Sequence, residues 1–287
     1  MIKIKKATDS DYVKILPLLK HFTNPPPLEI IFKNPWQLAD NYYGYILIDD
    51  EQVVGYAGTI FSRVPIDNQL RNFCNITTVV TEESHRDKAA YLLMSILKQD
   101  GCVFTNFTPS PSIREILLHL GFKKFNPKAN LILPLPSLHH FSSRYEWVFA
   151  HEMIAQHLKG DNLKIFNDHL DCPNTCHGLL KTAEGSCYFL ANRVDKKGLP
   201  FAKIHYVSNV DFFLDHIGKI AFRVCLKLYC VSMQVNQHIL GTQRTIPWAI
   251  SYNLRPKLFK ADDLNEQQIT TLYSEEVLLL SKNNIIG

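Results

Sequence analysis

Arg71-Asn72-Phe73-Cys74-Asn75-Ile76-Thr77-Thr78-Val79-Val80, the polar Thr81-Glu82-Glu83-Ser84, and then His85-Arg86-Asp87-Lys88-Ala89-Ala90-Tyr91-Leu92-Leu93 form the stretch that decides the fold of this chain. The first ten residues are rich in β-branched and apolar side chains, which predicts a strand. From His85 to Leu97 the apolar residues Ala89, Leu92, Leu93, Ile96 and Leu97 step by three and four, which predicts a helix. A helix entered this way from a strand aims unpaired backbone N–H groups at one point and adds the positive end of its dipole. Arg86 and Lys88 add side-chain charge there, so the turn is a candidate anion site that suits a pyrophosphate. A solvated helix start has the same composition, and the surrounding elements must decide between the two.

Working outward, Asp9-Ser10-Asp11 followed by Val13, Leu16, Leu18, Leu19 and Phe22 predicts an amphipathic helix over 9–22, stopped by Asn24-Pro25-Pro26-Pro27. Residues 45–48 and 53–60 are apolar runs around Asp49-Asp50-Glu51-Gln52, a hairpin pattern. Residues 103–107 predict a strand, 110–120 a helix with Gly121 as its left-handed cap, and 130–135 a further strand. Pro134, Pro136 and the polar stretch 137–144 place a domain boundary after residue 136, giving units 1–136 and 137–287. In the second half, 176–180 and 186–192 make a second hairpin around Lys181-Thr182-Ala183-Glu184-Gly185. A strand over 201–207, a helix over 212–226 and a strand over 228–234 follow. Asp263-Leu264-Asn265-Glu266 opens a terminal helix whose apolar face is Ile269, Leu272, Val277 and Leu280. The two halves read as variations on one α+β plan.

Composition agrees with a two-domain globular chain: of 287 residues 46% are hydrophobic and 20% charged, and 31 basic against 27 acidic residues leave a net charge of +4. That surplus falls short of the basic stripe of a dedicated nucleic-acid binder, so no nucleic-acid partner is expected. No apolar run reaches the ~18 residues of a membrane span, and the alternating charges of residues 1–9 do not read as a signal peptide, so a cytoplasmic protein is expected. Seven cysteines without framework spacing read as reduced thiols. His169, Cys172, Cys176 and His177 crowd four zinc-type ligand residues into nine positions, but their spacing matches no standard finger or ribbon. A turn around Pro173-Asn174 with buried thiols is the favoured reading, a zinc site the alternative, and no metal is expected.

The strand-turn-helix, the following strand Val103-Phe104-Thr105-Asn106, and the helix Ser112-Ile113-Arg114-Glu115-Ile116-Leu117-Leu118-His119-Leu120-Gly121-Phe122 together resemble the GCN5-related N-acetyltransferase (GNAT) superfamily over residues 1 to about 135. Arg86 holds the first place of that family's [RQ]-x-x-G-x-[GA] loop, and Leu120-Gly121-Phe122 matches its L-G-F helix end. The resemblance implies an α+β fold of two GNAT-like domains, each a mixed, mainly antiparallel sheet flanked by helices. It implies acetyl-CoA or another acyl-CoA as co-substrate. Thr78, Val79 and Val80 would then line the acyl-pantetheine, and Arg86, Asp87, Lys88, Ala89, Ala90 and Tyr91 the pyrophosphate, with Asn106 among the cofactor-binding residues. Ala89 stands where the family has its central glycine, and Tyr91 where it has a second small residue. The family's usual base would fall near Asn75 and its usual acid on Leu117, and neither side chain transfers protons.

Without those groups, acyl transfer must rest on placing the nucleophile against the carbonyl, with water or another residue taking the proton. Glu82, Glu83, His85, Cys74 and His119 are the acceptor-side candidates of the first half; a buried structural role is expected for Cys74 and a solvent-facing one for His119, and the catalytic residues stay unassigned. The second half has Ser208-Asn209-Val210-Asp211 in place of a phosphate loop, so it reads as a degenerate partner domain. Its segment 247–257, with Trp248, Tyr252 and Arg255, suits a small-molecule acceptor such as an amino sugar or sugar nucleotide, and ordinary strand packing accounts for the same residues. The reading is an acyl-CoA-dependent transfer to an amine or hydroxyl. Its rival is a GNAT-fold binding protein without turnover.

Overall fold

The structure is a computed structural model that describes residues 2–22, 25–36, 42–67, 69–125, 127–136, 144–196, 198–241, 246 and 248–278. In chain order its strands and α-helices are β1 (Lys3–Lys6), α1 (Tyr12–Ile15), α2 (Leu28–Phe32), β2 (Gly44–Asp49), β3 (Gln52–Ile66), β4 (Gln69–Thr81), α3 (Ala89–Leu97), β5 (Cys102–Asn106), α4 (Pro111–His119), β6 (Lys123–Phe125) and β7 (Lys128–Ile132). Then follow β8 (Glu146–Val148), α5 (His151–His157), α6 (Gly160–Asp168), β9 (Thr175–Thr182), β10 (Gly185–Lys196), β11 (Leu199–Val207), α7 (Val210–Asp215), α8 (Ile217–Leu228), β12 (Ser232–Asn236), β13 (Ile250–Asn253), β14 (Lys257–Lys260) and α9 (Glu275–Leu278).

These strands form two mixed seven-stranded sheets with one plan. The first runs β1-β2-β3-β4-β5-β14-β6, and the second, read from its other edge, runs β8-β9-β10-β11-β12-β7-β13. Each has a single parallel pair, β4 with β5 and β11 with β12, joined through a helical crossover; every other pairing is antiparallel. The sixth strand of each sheet comes from the other half of the chain: β14 completes the first sheet and β7 the second. The compact units are accordingly 1–126 with 255–279, and 127–254. The expected division after residue 136 gives way to two crossings, at 126/127 and 254/255. Pro134 and Pro136 do not separate domains but end β7 inside the second unit, where the missing proline N–H stops the ladder.

Local chemistry explains the individual elements. Asp50 and Glu51 take positive φ values of 44° and 67°, the primed turn that matches the right-handed twist of the β2–β3 hairpin. Gly121 has φ 87° just past α4, the left-handed cap expected of it. The helix expected over 9–22 is instead one α-turn, Tyr12–Ile15, between 3₁₀ segments at Asp9–Asp11 and Leu16–His21, because Pro17 withholds the donor that a continuous helix needs. The helix expected from His85 begins at Ala89, since His85 sits at φ −119° and ψ 15° within a 3₁₀ turn, Glu83–Lys88. Within the described residues the terminal helix expected from Asp263 is a 3₁₀ turn at Glu266–Gln268 followed by α9, and Leu280 of its expected apolar face lies outside them. The helix expected over 212–226 is divided into α7 and α8 at His216, and the strand expected over 228–234 begins later, at Ser232.

In the first unit α3 and α4 cover one face of the sheet, with Leu92, Leu93, Ile96, Ile113 and Leu117 packed on Leu47, Ala57, Cys74, Ile76, Phe104 and Leu258. In the second, α7 and α8 do the same with Phe213, Ile217, Ile220, Ala221 and Val224 on Phe189, Ala191, Ala202, Ile204 and Val235. Leu258, fully buried, ties β14 into the first core. A fragment of residues 1–136 therefore lacks an interior strand of its own sheet and carries one that belongs to the other. It should show no cooperative thermal unfolding by circular dichroism, whereas residues 1–125 joined by a short linker to 255–279 should recover it. A cooperative melt of the simple fragment would contradict the strand assignment.

Candidate functional site

The site is built on the far end of β4. β5 pairs with β4 from Asn72 to Asn75 and stops at Asn106, while β4 runs on to Thr81 with β3 as its only ladder partner among the described residues. Within that free stretch the register to β3 slips: Val79 opposes Ala57 and Thr77 opposes Gly58, so Thr78 is an extra residue, held at φ 48°. This is a β-bulge, and it takes the peptide groups beside it out of the regular ladder. A β-branched residue at positive φ is strained by about 1–3 kcal/mol, the kind of local cost that a surrounding ladder can hold in place. Val79 is half-buried and Val80 buried, so the main chain of Thr78, Val79 and Val80 is the polar surface this edge offers.

The strand leads into the 3₁₀ turn Glu83–Lys88 and so into α3, beside an open depression lined by Lys20, Glu82, Glu83 and Ser84. The cations of this turn are each engaged by a neighbouring carboxylate. Arg86 Nη1 lies 3.6 Å from Glu83 Oε1, both side chains largely in solvent, and Lys88 Nζ lies 2.6 Å from Asp87 Oδ2. Exposed pairs of this kind are worth ~0–1 kcal/mol, so an incoming phosphate can displace them. Ala89 is buried on the inner side of the helix, and Tyr91 is 53% exposed with Lys88 Nζ 5.8 Å from its ring centre. The bulky side chain at the second small-residue position thus turns outward instead of filling the turn. His85 is held between Ser84 Oγ at 2.9 Å and Asp49 Oδ2 at 3.2 Å, and its contact keeps the Asp49 carboxyl below the usual carboxylate range.

Where β4 and β5 part, the end of the chain supplies what the strands lack. Asn75, fully buried, donates from Nδ2 to Thr105 Oγ1 at 3.0 Å and accepts from the backbone N–H of Glu275 at 3.1 Å. The carboxylate of Glu275 accepts from the N–H of Phe107 at 3.1 Å and from the hydroxyl of Thr108 at 3.0 Å, both on Oε1. Its other oxygen, Oε2, is buried with no hydrogen-bond partner among the described residues, as is Oδ1 of neighbouring Asn106. Burial first, and the adjacent Glu276 second, push the Glu275 carboxyl up to about 7. Glu276 itself is neutralised by Lys257, 2.6 Å away, whose ammonium lies 5.0 Å from the Phe107 ring centre.

Reading the sequence for a terminal amphipathic helix missed Glu275. The available signal was two adjacent carboxylates inside the apolar run Leu272 to Leu278, where charge is costly unless it is paired or used. Of the candidates that were singled out, Cys74 is fully buried with its thiol pushed well up by desolvation, which suits packing. His119, at the exposed end of α4, places Nδ1 2.8 Å from the Glu115 carbonyl. Leu117 is buried in the core.

In the second unit Tyr252 donates its hydroxyl to Gln234 Oε1 at 2.9 Å and lies 3.5 Å from Lys196 Nζ, a polar row on one sheet face; Trp248 is 50% exposed. Arg255 is exposed and lies in the first unit, the chain crossing just before it. His169, Cys172, Cys176 and His177 surround the expected turn, with Asn174 at φ 59°. Both nitrogens of buried His177 are engaged, Nδ1 with Tyr188 Oη at 2.9 Å and Nε2 with the His169 carbonyl at 3.2 Å, and burial lowers its pKa to about 4. Burial pushes the Cys172 and Cys176 thiols up to about 12 and about 11. His177 and the two thiols are packed into the core.

No family model matches the sequence, and no curated protein matches it. Solved structures do. A GCN5-related N-acetyltransferase from Anabaena variabilis superposes with a TM-score of 0.59 at 13% identity, over 90% of this chain and 72% of that one. A GCN5-related N-acetyltransferase from Kribbella flavida gives 0.54 at 10% identity, over 90% and 70%. A conserved Enterococcus faecalis protein of unknown function gives 0.60 at 12%, over 90% and 72%. The chain has the GCN5-related N-acetyltransferase fold, repeated in two units, and at these identities the likeness is one of fold.

Two buried groups tie stability to pH in opposite directions. Glu275 holds its proton more tightly folded than unfolded, so stability falls as pH rises from about 4.5 to about 7. Glu275→Gln should therefore stabilise the protein at pH 8 by about 1–3 kcal/mol and leave it nearly unchanged at pH 4.5, read from urea unfolding. His177 holds its proton less tightly folded, so stability falls as pH drops from 6.5 towards 4. Replacing it with Asn should blunt that acid loss, read as a smaller difference in melting temperature between pH 7 and pH 5. A Glu275→Gln effect that is largest at low pH would contradict the assignment.

Proposed function

We propose that the first unit binds an acyl-CoA and that the protein transfers the acyl group to an amine or hydroxyl of a small molecule. The observation that carries the reading is the coincidence, on one strand, of the Thr78 bulge, the parting of β4 from β5, and a basic turn opening a helix. A thioester in the gap would meet main-chain groups of Thr78, Val79 and Val80, which polarise its carbonyl where charge develops. The pantetheine would run past Asn106, and the pyrophosphate would meet the turn from Arg86 to Tyr91, with Arg86 and Lys88 exchanging their carboxylate partners for phosphate oxygens. The fold shared with GCN5-related N-acetyltransferases supports this reading. Acetyl-CoA is the first donor to try, and amino sugars and sugar nucleotides are the first acceptors.

The engaged cations at the turn, and the absence of a titratable side chain at Asn75 and Leu117, favour a second reading, in which the fold is kept for binding alone. Turnover separates the two. Isothermal calorimetry with acetyl-CoA should show saturable binding that Arg86→Ala weakens roughly tenfold, a charged donor to phosphate being worth about 1.5–3 kcal/mol before solvent screening. Glu83→Gln, which releases Arg86, should bind at least as tightly as the native chain. Unchanged affinity in Arg86→Ala would remove the phosphate from this turn.

A further inference from the structure

We infer that Thr108 and Glu275 form the proton-accepting pair of the acyl transfer, with the hydroxyl of Thr108 as the point of contact and the buried carboxylate as the sink. The inference rests on the reading of the first unit as an acyl-CoA site. Three observations converge on the pair. Thr108 is exposed while Glu275 is 2% exposed, so the 3.0 Å hydrogen bond between them joins solvent-accessible space to a carboxylate shielded from water. The Thr108 hydroxyl already donates to Oε1 of Glu275, so its proton passes along an existing hydrogen bond, and Oε2 is buried with no partner among the described residues to hold the carboxylate ionised. The pair also stands where β4 and β5 part: the Glu275 N–H is fixed by Asn75, three residues or about 10 Å along the strand from the Thr78 bulge.

The chemistry balances on these atoms. The amine nitrogen attacks the thioester carbon, and the C–N bond forms as the C–S bond breaks. The proton shed by nitrogen passes to Thr108 Oγ1 while the hydroxyl proton passes to Glu275. The departing CoA thiolate then takes a proton back along the same path, leaving the carboxylate ready for the next turnover. The N–H of Phe107 holds the carboxylate in place throughout. The charged groups around Glu275 are Glu276, next to it on α9, and Lys257 on β14, which neutralises Glu276; Asn75 and Thr108 face it as neutral partners. With the Glu276–Lys257 pair closed, the change of charge near neutral pH falls on Glu275 itself.

The test uses the full chain, acetyl-CoA, and hydroxylamine as a small amine that needs no fitted acceptor pocket, with release of CoA thiol followed against pH. The native protein should show a rate that rises through about pH 7. Glu275→Gln and Thr108→Val should each lower kcat about 100-fold, the scale of a lost proton acceptor, with the affinity for acetyl-CoA by calorimetry unchanged within twofold. The double variant should be no slower than either single one, since the two act as a unit. Thr108→Ser should restore most of the rate, and the rise near pH 7 should be absent from Glu275→Gln. Native binding of acetyl-CoA with full turnover in Glu275→Gln or in Thr108→Val overturns the pair and leaves the acyl-CoA reading standing. Absence of acetyl-CoA binding to the native protein overturns that reading and the pair with it.

Discussion

The first sheet depends on the ladder that β14 makes between β5 and β6. Leu258, Phe259 and Lys260 pair with Asn106, Thr105 and Phe104 on one side, and Lys257, Leu258 and Phe259 with Phe125, Lys124 and Lys123 on the other. Without β14 the buried edge of β5 would face unpaired N–H and C=O groups, each costing more free energy than a surface loop can recover. The same strand carries Lys257, whose buried pair with Glu276 fixes α9, and through α9 the position of Glu275. One strand exchanged between halves thus settles both the integrity of the sheet and the chemistry at its centre.

The exchange is reciprocal, β7 filling the same place in the second sheet. Each unit is therefore a complete seven-stranded sheet only because the other half of the chain contributes to it. The units nonetheless differ in what their crossovers present. In the first, a bulged strand leads to a turn with Arg86 and Lys88; in the second, β11 leads through Ser208 to the Asn209 side chain, which caps α7 by accepting from the N–H of Phe212 at 3.1 Å. A helix start already capped by its own side chain has less to offer an anion than one flanked by exchangeable cations.

Both cores hold buried polar atoms without a hydrogen-bond partner among the described residues: Asn130 Nδ2, Trp147 Nε1 and Asn236 Nδ2 in the second unit, and Thr59 Oγ1, Ser62 Oγ and Thr271 Oγ1 in the first. In the second unit His177, Tyr188 and the His169 carbonyl satisfy one another, and their cost is structural. In the first unit Glu275 and Asn106 each keep a buried oxygen without a partner. An unsatisfied buried acceptor costs about 1–3 kcal/mol, and what sets the Glu275 and Asn106 oxygens apart from the others is their place at the parting of β4 and β5, beside the proposed acyl-CoA site.

Much of the local structure was legible in the sequence because it follows from short-range rules. The β2–β3 hairpin, the strand from Arg71 to Val80, the Gly121 cap and the α+β order of each half all follow from alternation, helical spacing and the conformational limits of a few residues. The sequence also singled out the turn at Arg86, since a strand running into a helix with basic residues is a local pattern. Register slippage at Thr78 is not local: it arises from how two strands of unequal length share a ladder. The partners of β7 and β14 were equally hidden, because a short apolar strand pairs as well with one sheet edge as with another until the rest of the chain has placed those edges. Glu275 lies 200 residues from the Asn75 side chain that holds its amide. Its sequence neighbourhood showed only a carboxylate in an apolar run; that it lies beside β4 was decided by the tertiary structure, through the burial of Leu272, Tyr273, Val277 and Leu278 and the closing of Lys257 on Glu276.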